Sequence, residues 1–108
     1  MRSIVHNAHD HFALALARLA AQRILEDPSR VQFGLQVMER WRQKRGDLTS
    51  ACAEWECIIR QRTPQEIAAL LVAETDEGQR LRSSHPFIRG PFFTEAERLR
   101  LIEATHAV

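Results

Sequence analysis

The chain has 108 residues, 44% of them apolar and 27% charged, with a net charge of +1. That length accommodates one domain around one core, and the composition lies well outside the disordered regime. The near-neutral total excludes a generally basic protein but conceals polarity: residues 1–46 hold eight Arg or Lys against four acids, and residues 47–108 hold seven against ten.

The first helix is predicted over 7–26, capped by Asn7 or Asp10 and stopped before Pro28. Phe12, Leu16 and Leu19 form one stripe and Leu14, Ala17, Ala21 and Leu25 another. A helix apolar around most of its circumference is a central element or a self-association face. Residues 12–21 have the length of a signal-peptide core, yet His9, Asp10 and His11 precede them and Arg18 interrupts them. They read as a buried helix of a cytoplasmic protein, too short to cross a membrane.

Pro28, after Asp27, opens a second helix to Arg45, ended by Gly46. Val31, Leu35 and Met38 face inward, with Phe33, Val37 and Trp41 widening the arc. Asp47, Thr49 or Ser50 caps a third helix whose narrow apolar face is Leu48, Cys52, Trp55, Ile58 and Ile59. Cys52 and Cys57 stand about 140° apart on it, so they read as two small core thiols and not as a disulfide or zinc pair.

Thr63-Pro64-Gln65-Glu66 combines an N-cap, a proline at the first helical position and a capping-box glutamate. Ile67, Leu70 and Leu71 form the buried stripe of that fourth helix. A short helix or turn over 75–82 follows, held by Leu81 and weakened by Gly78. Pro86, Gly90 and Pro91 then break the helical pattern within a segment that carries Phe87, Ile88, Phe92 and Phe93. Thr94 to Glu97 repeats the capping-box pattern and starts a last helix with Leu99 and Ile102, frayed at its end.

No catalytic constellation assembles from these elements. His6, His9, Asp10 and His11 crowd four potential ligands into six residues, but no later segment completes a metal site. Ser83, Ser84 and His85 are adjacent in sequence, which rarely aligns a nucleophile with its base. Glu54 and Glu56 diverge on their helix. The reading is therefore non-enzymatic, with no cofactor and no metal.

Two binding surfaces stand out. Arg40, Arg42, Lys44 and Arg45 surround Trp41 at a helix end, a pattern that suits phosphate contacts and equally suits the helix macrodipole. Residues 63–84 align with a helix-turn-helix, in which Arg80 and Arg82 would touch DNA. However, Val72 falls at the turn glycine and Gly78 at an apolar position. The other surface is the arm formed by the aromatic loop and last helix: Phe87, Ile88, Arg89, Phe92, Phe93 and Arg98 would grip a partner. The plainer alternative is that the rings close over the chain's own core.

Glu54-Trp55, TPQEIAALL, the QRLRSSHPF run from Gln79 to Phe87 and Glu97-Arg98 together resemble small bacterial proteins, some encoded beside toxin-like genes and some described as regulators. The resemblance spans most of residues 8–102. It implies a partner-binding or antitoxin-like role with optional operator binding, and it transfers no site residue.

The expectation is an all-α single bundle of five or six short helices, with a body over 1–82 and a loop and last helix over 83–108 packed on the body or on a partner. The expected function is neutralisation of a protein partner, a toxin or other enzyme, in the manner of an antitoxin or inhibitor. A homodimer is a further option, and no membrane is involved. Two alternatives are a small DNA-binding regulator and a mobile-element inhibitor of a host nuclease.

Overall fold

In the computed structural model, which describes residues 8–88 and 90–106, six α-helices follow one another with no strand among the described residues. They are α1 (Ala8–Glu26), α2 (Val31–Arg45), α3 (Ser50–Gln61), α4 (Pro64–Val72), α5 (Asp76–Arg82) and α6 (Glu95–His106). The expected all-α bundle is what forms.

Side chains that take orphan amides fix most of the helix starts. Thr49 accepts from the Cys52 amide and Thr75 from the Gly78 amide. Thr63 and Glu66 form the full reciprocal box, and so do Thr94 and Glu97. The second helix departs from expectation: Asp27 caps a 3-10 turn, Pro28–Arg30, and α2 begins only at Val31. Tight turns of this kind are common at helix starts.

α1 is the central element, packed most heavily on α4 and then on α6 and α5. Its buried face carries Leu14, Ala17, Ala20, Ala21 and Ile24, against Ile67, Ala68 and Leu71 of α4. The short alanine side chains let two helices pack closely. Leu25 and Phe33 were both expected inside and are instead exposed. Their apolar arcs are wider than the neighbouring elements cover. Cys52 is buried but Cys57 faces outward, so only one of the two thiols belongs to the core.

The aromatic loop supplies three rings to the remaining core. Phe87, Phe92 and Phe93 are 0%, 1% and 6% exposed, and they join one cluster with Ile24, Met38, Trp55 and Leu71. Phe87 stands edge-on to Trp55 with ring centres 5.7 Å apart and edge-on to Phe92 at 5.3 Å. The indole is fully buried, and its N–H donates to the Leu81 carbonyl at 2.7 Å, so its one polar atom is satisfied.

Two glycines make the close approaches that this packing needs. A Cβ on Gly34, near the start of α2, would lie 2.7 Å from the Phe87 ring and 3.2 Å from Pro86. A Cβ on Gly78 would lie 2.1 Å from the Ala73 carbonyl oxygen, so the residue expected to weaken α5 is what lets it fold back against α4. The last helix is tied to the first by Arg23 and Glu97, whose charged atoms are 2.7 Å apart.

Candidate functional site

The arm residues separate into two groups. Phe87, Phe92 and Phe93 correct the partner-gripping expectation, because rings this deep in the chain's own core present nothing to a partner. Ile88 remains outside at 39% exposed, Arg98 is half-buried and paired with Glu95 on its own helix, and Arg89 lies outside the described residues.

The cations separate as well. The Arg80 guanidinium meets Glu54 at 2.8 Å and Glu77 at 2.7 Å, and these hydrogen bonds raise its pKa. Arg42 bonds to Glu56 at 3.0 Å and lies 3.3 Å from Glu39, with its pKa raised first by the Glu56 bond. Arg82 is buried, and its Nη1 donates to the carbonyls of Leu71 and Ala73 at the end of α4, at 3.2 and 2.6 Å. Desolvation lowers its pKa, and the two carbonyls give the charge its partners. Arg42 and Arg80 are thus already engaged by carboxylates, and Arg82 is a structural strut. Arg40, Lys44 and Arg45 form no ion pair among the described residues.

The helix-turn-helix alignment gains no support from this geometry. α5 has seven residues, its first turn carries Asp76 and Glu77, and its last residue, Arg82, is buried. A reading helix that leads with two carboxylates would meet DNA phosphates with the wrong sign.

Ser83, Ser84 and His85 do not form a nucleophile and base. Ser83 Oγ donates to the Arg80 carbonyl at 2.7 Å, and Ser84 Oγ is buried with no hydrogen-bond partner among the described residues. His85 Nδ1 accepts the Phe87 amide at 3.1 Å. The residue keeps some exposure, but its ring stacks on Phe87 and stands edge-on to Trp55. Burial, with the nearby Arg82 charge second, pushes its pKa down to about 4. Among the described residues no three His, Cys, Asp or Glu side chains come together to hold a metal; His6 and the His9 side chain lie outside them.

The surface that remains is an open groove of about 730 Å³ between α2 and the aromatic loop. Phe33, Val37 and Trp41 line one wall, Ile88 and Pro91 the other, and Arg40 and Lys44 stand on the rim. Phe33 is 43% exposed. The groove unites the exposed remainder of the two surfaces expected from sequence. What sequence reading missed is Phe33 as a surface residue. The available signal was Gly34 beside it, since a glycine inside a helix marks a close approach and turns its neighbour away from that contact.

A larger groove of about 840 Å³ lies between α1 and α4, beside Ala21, Leu25, Ala68 and Val72. Its charges are already met: Arg18 by Glu74 at 3.4 Å, and Glu26 by Arg30 at 3.5 Å and Arg23 at 3.8 Å. It leaves no uncompensated charge for a partner to neutralise.

No family model, curated protein or solved structure matches this chain. No helix among the described residues is long and apolar enough to cross a membrane.

Proposed function

We propose that this chain is a non-enzymatic, cytoplasmic protein-binding module of the antitoxin or inhibitor kind, which neutralises a toxin or other enzyme. The observation that carries the reading is the α2–loop groove, where exposed Phe33 and Ile88 accompany two cations that form no ion pair among the described residues. Exposed apolar side chains rimmed by polar ones are the usual composition of a protein-binding patch. The free thiols Cys52 and Cys57 suit a reducing compartment.

The test is to identify what co-purifies with the native chain and to measure its binding to Phe33→Asp and Ile88→Asp. Each substitution should weaken binding by at least ~10-fold, since it places a charge in a desolvating contact. The melting temperature should stay nearly unchanged because both sites are exposed. A partner that binds both variants as tightly as the original chain refutes the reading.

A second reading, a small DNA-binding regulator, draws on the three cations Arg40, Lys44 and Arg45 beside half-buried Trp41. Three phosphate contacts would give a log–log salt slope of about −3 on duplex DNA. Absence of binding at low ionic strength eliminates it.

A further inference from the structure

Granted the protein-binding reading, on which this rests, we propose that the segment received by the α2–loop groove is an amphipathic helix of the partner, with Asp or Glu at i and i+4 along one edge. Among the described residues no acidic side chain lines the groove, and the charges that do are Arg40 and Lys44. These two are four residues apart on α2, so they repeat at about 6 Å along its axis. Carboxylates at i and i+4 of a helix lying alongside repeat at the same interval, so two ion pairs form in one register.

The apolar wall has the same period. Phe33, Val37 and Trp41 are each four residues apart and extend about 12 Å along α2. Ile88 and Pro91 face them from the loop. An apolar ridge at i, i+4 and i+8 seats against such a wall, which is how helices dock in grooves. Nucleic acid suits the groove less well. Phe33 and Trp41 offer planes for base stacking, but only two described cations, Arg40 and Lys44, line the groove to meet phosphates, and residues 47–108 carry three more acids than bases.

The probe is a short designed helical peptide with a Leu/Phe face flanked by glutamates at i and i+4, compared with its lysine counterpart. Each is titrated against the full chain by calorimetry and by tryptophan fluorescence. The acidic peptide should bind at least ~10-fold more tightly than the basic one, and the double variant R40E/K44E should invert that order. The double variant should also keep its melting temperature, because both residues are exposed and form no ion pair among the described residues.

Equal binding of the two peptides, binding of neither, or an order unchanged by the charge reversal overturns the acidic-helix inference. Equal binding that Phe33→Asp abolishes still leaves the protein-binding reading intact. A single-stranded oligonucleotide that displaces the acidic peptide, with steep salt dependence, overturns both.

Discussion

Phe87→Ala should unfold or severely destabilise the chain, by about 3–5 kcal/mol, the range for emptying a buried phenylalanine site. Phe87 is wholly buried and touches Trp55 of α3 and Gly34 of α2, both distant in sequence, as well as Phe92 of its own loop. None of these can collapse into the void without leaving another contact. Domains of this size carry about 5–15 kcal/mol in total, so one truncation removes a large share of the stability. Phe33→Ala, at an exposed position, should cost under ~1 kcal/mol. Denaturant unfolding of the two variants is the comparison. Equal and small losses would show that the loop rings are not core residues.

Acid should destabilise the fold well before its carboxylates titrate. His85 is held neutral, its pKa falling from the ordinary 6.5 to about 4, chiefly by burial. Between those values the unfolded chain binds a proton that the folded chain refuses. Stability therefore falls as pH drops from 6.5 towards 4, by about 3 kcal/mol in all, and this contribution levels off below 4. Protonation also removes the lone pair on Nδ1 that accepts the Phe87 amide.

Glu54, Glu66, Glu77 and Glu97 have lowered pKa values, through hydrogen bonds to Arg80, to Thr63, to Arg80 and to the Thr94 amide respectively. Their contributions disappear only as pH falls below the ordinary carboxylate range, which leaves pH 5–6.5 to the histidine. Unfolding free energy should slope steeply across that window in the original chain and be flatter in His85→Gln. Parallel slopes would place the imidazole in water.

Local chemistry was legible in the sequence, and tertiary choices were not. Thr63 and Glu66, and Thr94 and Glu97, lie within one turn of each other, so their capping boxes depend on no distant residue. The destination of the phenylalanines was open, because a ring that seals its own core and a ring that fills another protein's groove have the same sequence. Gly34 decides between them only once Phe87 is seen above it.

The cations were opaque for a related reason. Arg42 and Arg80 read as free charges until α3 brings Glu56 and Glu54 beside them, across 14 and 26 residues of chain. Arg82 read as a surface residue because only the fold brings it to the carbonyl end of α4. The groove required both corrections, since it consists of what remains once the rings and the paired arginines are withdrawn.

The aromatic loop closes this chain's own core, with Phe87, Phe92 and Phe93 inside it. Proton NMR of the isolated chain tests it most directly. Nuclear Overhauser contacts are expected from the Phe87 ring to the Trp55 indole and to the Gly34 α-protons, with those α-protons moved from their random-coil positions by the neighbouring ring. Phe87 resonances at random-coil positions, with neither contact present in an otherwise folded chain, would contradict it.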